Sequence, residues 1–278
     1  MLALAPAGWR KRKLRPSNDP PCRHSRIDFV FENPLDGAFK NMPFCKQLLE
    51  RFPHWVRCRG TSYCKYEKDY RKRTVLLSSL KLRLAPPCPN PACAHLKRAK
   101  THPRSVADLR SAEKNSLPQG LVDAILDQWM ATATERHAPG VRTYAVVDVF
   151  AGFGSVSAAI RARQLPNVRV FGNDLMNRNG GDTTFDMSAD SPFTLASLVW
   201  LACAKMGVAV ADYTDVVSML ESERIALLFH LSTPCDTYST NGMAHHRNVD
   251  RSPKTALAHL HDAMNAALIS ELEQLVLW

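Results

Sequence analysis

Ile225–Ser239 reads IALLFHLSTPCDTYS. The run Ile225–Leu231 is apolar apart from His230 and predicts a buried parallel strand. It breaks at Ser232-Thr233-Pro234 and presents Cys235 ahead of Asp236, Thr237 and Ser239. A strand ending in Pro-Cys puts a thiol at the carboxyl edge of a sheet, where open α/β folds bind their ligands. A thiol there suits a nucleophile; the alternative is an inert cysteine in a capped loop.

Upstream, Tyr144–Phe150 is apolar and β-branched and leads into Ala151-Gly152-Phe153-Gly154-Ser155, after which Val156–Arg163 predicts a helix. Strand, Gly-x-Gly, helix is the turn that lets backbone approach a nucleotide closely. The next predicted strand, Val168–Gly172, ends in Asn173-Asp174, and an acidic residue there can bind ribose hydroxyls. No third spaced glycine follows, which favours a nucleoside-bearing cofactor over a dinucleotide. Leu195–Met206 predicts a helix, Gly207–Ala211 a strand ending at Asp212, and Val216–Ser222 another helix. Lys254–Leu277 predicts a long helix with His259 and His261 on its surface.

The amino-terminal half is different in kind. Net charge is +10, split as 25 Lys+Arg against 9 Asp+Glu over residues 1–115 and 11 against 17 over 116–278. A basic half beside a mildly acidic one implies a polyanion-facing lobe next to a cofactor lobe. Residues 1–25 are basic, Pro-rich and without hydrophobic period, as in a disordered arm. Ile27–Phe31 predicts a strand that Pro34 ends, leaving Glu32 at another carboxyl edge. Asn41–Phe52 predicts a helix, and Trp55–Arg59 and Thr74–Ser78 two further strands. Between these strands, Tyr63, Tyr66 and Tyr70 lie among Lys65, Arg71, Lys72 and Arg73, a mixture suited to phosphate contact and stacking. Lys81–Lys114 shows no period and holds Cys88, Cys93 and His95, with His102 beyond. With Cys64 these can form a four-ligand zinc site; the alternative is a set of ordinary thiols. Asn115-Ser116-Leu117-Pro118 reads as the N-cap of an amphipathic helix reaching about residue 133.

Eight scattered cysteines are too sparse for a disulfide scaffold and point to a reducing, intracellular setting. The first residues, apolar and then basic, reverse the order of a secretory signal. No apolar run is long enough for a membrane span. Together these features predict an α/β, doubly wound, Rossmann-like sheet whose strand ends share one crevice.

The motifs resemble those of the DNA cytosine-C5 methyltransferases. Asp148-x-Phe150-Ala151-Gly152-x-Gly154, with Ser155, is similar to the motif that binds S-adenosylmethionine. Asp174 is similar to the acidic residue that holds the ribose; Asp212, with Asp186 as a rival, to the one near the adenine. Pro234-Cys235-Asp236-x-x-Ser239 resembles the Pro-Cys-Gln-x-x-Ser catalytic loop, and Glu32-Asn33-Pro34 resembles Glu-Asn-Val. Arg71-Lys72-Arg73 resembles Arg-x-Arg, and Asn115-Ser116-Leu117-Pro118 the motif that completes the cofactor pocket. Asp236 and Pro34 depart from the usual Gln and Val.

The motif order is circularly permuted, similar to that of the domains-rearranged methyltransferases. The implied organisation is an arm (1–25), one half of the methyltransferase sheet (26–80) and a target-recognition or zinc-stapled loop region (81–114). The cofactor and catalytic-Cys half of the same domain follows (115–278). The resemblance implies Cys235 as nucleophile, Glu32 as the group that binds the base with its carboxyl raised by burial, and Arg71 and Arg73 as supporting cations. A basic surround would favour the Cys235 thiolate. Implied partners are S-adenosylmethionine and DNA, in a nucleus if the cell has one. RNA as substrate, and a catalytically inert nucleic-acid-binding relative, are the alternatives.

Overall fold

The structure, a computed structural model, describes residues 26–89, 93, 102–110, 113, 115–137, 140–175 and 182–276. The expected arm at 1–25, His95 and much of the loop around it lie outside the described residues.

Among the described residues six strands pair into one mixed sheet: β1 (Ile27–Pro34), β2 (Arg57–Ser62), β3 (Arg73–Ser78), β4 (Thr143–Asp148), β5 (Val168–Gly172) and β6 (Ile225–Leu231). Their order is β2-β3-β1-β6-β4-β5. β1, β6, β4 and β5 run parallel, and β3 runs antiparallel to both β1 and β2. β6 is buried along its whole length, the mark of a parallel strand covered on both faces. That is why its sequence is a continuous apolar run rather than an alternation. The result is an α/β fold with a mostly parallel sheet, compatible with a Rossmann-like architecture.

Among the described residues the helices are α1 (Pro43–Arg51), α2 (Gln119–Arg136), α3 (Ser155–Ala162), α4 (Leu195–Lys205), α5 (Val216–Ser222), α6 (Thr240–His246) and α7 (Ala256–Val276). Side chains alternate across each strand, and two cores follow. Val30, Leu76, Val146 and Leu228 pack with Leu121, Trp129 and Ile160 of α2 and α3. Phe29, Phe31, Val147 and Phe229 pack with Leu48, Leu198, Met219 and Leu268 of α1, α4, α5 and α7. Each such fully buried side chain contributes about 1.5–3 kcal/mol of transfer free energy. No helix among the described residues is long and apolar enough to cross a membrane.

Some elements differ from expectation. β1 runs past the expected Phe31 through Glu32 and Asn33 and ends, as expected, at Pro34, which sits opposite Thr74 of β3. Gly207–Ala211 is not a strand. Gly207 terminates α4 with φ +86°, and Val210–Asp212 forms a half-exposed 3-10 turn outside the sheet. Val208 and Val210 pack partly buried against the core while Ala209 and Ala211 are exposed, so the alternation belongs to a core-facing loop rather than to a paired strand. α2 begins after Pro118 with no side-chain cap, so neither Asn115 nor Ser116 caps it. α6 was not expected, because its polar sequence TNGMAHH carries no apolar stripe.

Candidate active site

The sheet reverses its winding between β4 and β6. The chain leaves β4 through α3 towards β5, whereas β6 lies on the opposite flank of β4. A crevice opens at the carboxyl ends of such strands, and here it is a cleft of about 400 Å3. Glu32, Asn115, Asp148, Phe150, Ala151, Gly152, Ser155, Asp174 and Cys235 all line it. Residues from both ends of the chain therefore meet in one place.

The meeting of Glu32 and Cys235 follows from register. Phe31 pairs with Leu231 in the parallel β1–β6 ladder, so Glu32 and Ser232 emerge side by side. Ser232 Oγ donates to Glu32 Oε2 at 2.9 Å, and Asn33 Nδ2 donates to Thr233 Oγ1 at 3.4 Å. Cys235 follows on the same wall. Glu32 Oε1 accepts from Tyr63 Oη at 3.2 Å and from the Thr74 hydroxyl. Lys72 Nζ stands 3.9 Å from the same oxygen.

The electrostatics correct two expectations. Burial by itself raises the Glu32 carboxyl, but Lys72 and the hydroxyl donors of Thr74 and Ser232 outweigh it, so the group lies below the ordinary carboxylate value. Cys235 moves the other way. Burial pushes its thiol up to about 11, with Lys72 opposing and Glu32 and Asp236 reinforcing the rise. The free site therefore holds a neutral thiol facing an ionised carboxylate.

The supporting cation is also different. Lys72, not Arg71 or Arg73, lines the cleft. Arg73 Nη1 instead bonds Asp36 Oδ1 at 2.7 Å on the protein surface. Lys72 was quoted only as the middle of the Arg-x-Arg triplet, and spacing alone does not show which member turns inward.

On the other wall, Gly152 and Gly154 have φ of +53° and +68°, the left-handed region that glycine occupies without strain. A Cβ at Gly152 would meet nothing closer than 3.9 Å, so it would project into the open cleft. Gly154 itself does not line the cleft; it caps α3. Asp174 Oδ2 accepts the Gly152 N–H at 2.8 Å, bracing the turn. The Ser155 hydroxyl accepts the Leu117 N–H at 3.2 Å, docking Asn115–Pro118 against the start of α3. Ser116 itself does not face the cleft, although its neighbours Asn115 and Leu117 do. Asp212, exposed on its turn, is also outside it. The rival, Asp186, lines the cleft with Phe185 and Ser188, and its carboxylate accepts the Ser188 N–H at 2.9 Å. Asn173 holds that loop by donating to the carbonyl of Phe185 and accepting its N–H, at 3.1 and 2.8 Å.

Three further arrangements escaped the sequence reading. Asp148, read there as part of the cofactor motif, bonds His230 Nδ1 at 2.9 Å in the floor of the cleft. His261, expected at the surface, is buried, lines the cleft and bonds Thr237 Oγ1 through Nδ1 at 3.1 Å. The loop after Cys235 is clamped: Arg247 grips both oxygens of Asp262 at 2.7 and 3.1 Å and donates through Nε to the Thr237 carbonyl at 2.8 Å. Tyr238 Oη bonds the same Asp262 at 2.7 Å, under the Arg247 guanidinium. Backbone packing is tight there, since a Cβ on Gly242 would fall 1.5 Å from the Asp236 carbonyl oxygen. These contacts join separate helices and leave no spacing signature.

Beside the cleft, Cys64, Cys88, Cys93 and His102 gather their ligand atoms within 4.8 Å of one another. Tetrahedral zinc would need edges of about 3.8 Å, given its bond lengths, so a small contraction completes the site. This Cys3His cluster can hold a metal ion. His102 joins the three thiols, with its Nε2 3.6 Å from Cys88 Sγ; His95, the histidine expected there, lies outside the described residues. Burial and the neighbouring thiols push Cys64 up to about 12, a penalty that a bound cation would remove.

Compared with protein-family models, curated proteins and solved structures, the chain finds no match.

Proposed function

We propose that the protein is an S-adenosylmethionine-dependent DNA cytosine-C5 methyltransferase with circularly permuted motifs. One observation carries this: Cys235 and Glu32, about two hundred residues apart, line a single cleft together with the Gly152 turn and Asp174. The cleft's volume suits a small-molecule ligand, and the space above Gly152 that a Cβ would enter suits close approach of one. Gly152 and the Ala151 backbone, Phe150, Asp174, Asp186 and Asn115 would hold the cofactor. S-adenosylmethionine, when bound, supplies a methyl group as an electrophile.

The protein's own groups prepare the base. Cytosine C5 is a poor nucleophile until a sulfur adds at C6. Cys235 and Glu32 share one proton: the free site keeps it on sulfur, whereas addition needs it on the base. As the S–C6 bond forms, the thiol proton passes by way of Glu32 to N3, and the ring becomes an enamine reactive at C5. After C5 takes the methyl group, its proton is lost to solvent and the S–C6 bond breaks with the electron pair going to sulfur. The N3 proton then returns by way of Glu32 to the thiolate, so each turnover releases one proton and restores the site. Glu32 Oε1 is engaged by Tyr63, Thr74 and Lys72, whereas Oε2 accepts from Ser232 alone among the described residues, so Oε2 is the oxygen with room for the base. A cytosine stacked in a duplex cannot reach this cleft and must be flipped out, at a cost of a few kcal/mol. The basic amino-terminal half supplies phosphate contacts, and zinc in the Cys3His cluster would staple the adjoining loop.

Incubation with tritiated S-adenosylmethionine and DNA tests the reading. Wild-type protein should label DNA in preference to RNA, and Cys235→Ser should not. The raised Cys235 thiol favours one second reading, an inert nucleic-acid-binding relative. Calorimetry separates the two, because an enzyme binds S-adenosylmethionine without DNA.

A further inference from the structure

We infer that Tyr63 is a positioning residue for Glu32, and that the Cys64–Cys88–Cys93–His102 metal site holds it in place. Tyr63 and Cys64 are consecutive in one short 3-10 turn, Tyr63–Lys65, and both are fully buried. Cys64 faces the metal cluster, while Tyr63 donates its hydroxyl to Glu32 Oε1 at 3.2 Å. Lys72 completes the contact: its Nζ donates to Tyr63 Oη at 3.3 Å, and its carbonyl accepts the Tyr63 N–H at 2.9 Å.

A 3-10 turn of this length has poor hydrogen-bond geometry and little stability of its own. Its rigidity must come from what grips it. On the far side that is the cluster, together with the Cys88 N–H bond to Ser62 Oγ at 2.9 Å. The Tyr63–Glu32 bond is already long, and a small shift of the turn breaks it. A metal staple here is thus part of the subsite for the target base. This inference rests on Glu32 as the base-binding group of the proposed function.

The test uses the full chain loaded with zinc, the same chain stripped by a chelator, and Tyr63→Phe in both states. Circular dichroism checks the fold. Zinc-loaded Tyr63→Phe should keep its metal and its calorimetric affinity for S-adenosylmethionine, and lose about tenfold or more in kcat on DNA. Stripping the wild type should cause a similar loss, and stripping Tyr63→Phe should add little to it, because both changes remove the same contact. Wild-type kcat in zinc-loaded Tyr63→Phe overturns the inference, and so do losses that multiply. Should the stripped chain unfold, the zinc-loaded variant decides alone.

A second readout needs no activity. The ultraviolet resonance Raman spectrum of wild type minus Tyr63→Phe should report a strongly donating tyrosine hydroxyl with zinc and a weaker one in Glu32→Gln with zinc. An unchanged spectrum in Glu32→Gln overturns the contact. If wild-type protein transfers no methyl group, the functional reading falls, and the Raman comparison still decides whether Tyr63 holds Glu32.

Discussion

Asp148 Oδ1 lies 2.9 Å from His230 Nδ1, across neighbouring strands in the floor of the cleft. A carboxylate only accepts, so Asp148 selects the tautomer with its proton on Nδ1. His230 Nε2 has no hydrogen-bond partner among the described residues. Asp148→Leu should cost about 1–3 kcal/mol by stranding the imidazole. The double variant with His230→Leu should lose clearly less than the sum of the single losses. Urea denaturation of all four proteins measures the coupling; additive losses would show that the pair does not act as a unit.

The Cys235 thiol near 11 makes a pH prediction. Only the thiolate is alkylated, so the rate of iodoacetamide labelling at Cys235 should climb about tenfold per pH unit from 8 and level off near 11. Lys72 opposes the rise, so Lys72→Met should move the midpoint higher still. Peptide mapping isolates Cys235 from the other cysteines. A midpoint in the variant at or below that of wild type would contradict the role given to Lys72.

Glu271 offers a stability test remote from the chemistry. Burial pushes its carboxyl up to about 7, only partly opposed by the Leu195 N–H that it accepts at 2.6 Å. In the unfolded chain it titrates near the ordinary 4.5. Between these values the folded state holds more protons than the unfolded one, so stability falls as pH rises and the loss is complete once pH passes 7. The melting temperature of Glu271→Gln, relative to wild type, should therefore rise from pH 4.5 to 7 and then stay level. A difference that is constant with pH would refute the shift.

The metal site predicts one zinc per chain and a choice between two histidines. His102→Ala should weaken zinc binding severely and lower the melting temperature, whereas His95→Ala should retain the metal. Metal analysis after dialysis reads both, and loss of zinc from His95→Ala alone would reverse the assignment.

What could be read in advance divides along physical lines. Ile225–Leu231 was legible to the residue because a parallel strand covered on both faces leaves an unbroken apolar run. Val168–Gly172, the edge strand, was legible from its β-branched and aromatic residues despite the exposed Arg169. Cys235, Glu32 and Asp174 could be placed in the cleft because each lies close to the carboxyl end of such a strand. Asp212 was misplaced because a half-exposed apolar stretch mimics a strand. Lys72, Tyr63 and His261 were missed because their roles depend on which way a side chain turns and on partners in distant elements. The charge of Glu32 was misjudged for the same reason: burial is visible in a sequence, whereas the hydroxyls and the ammonium that offset it are assembled only by folding.

The Arg247–Asp262–Tyr238 clamp bears on the proposed function. It fastens the segment behind Cys235 to two helices at once, so the sulfur behaves as an anvil rather than a finger. On the proposed reading the travel is left to the nucleotide, and selectivity is a matter of which helical sites surrender a base most cheaply.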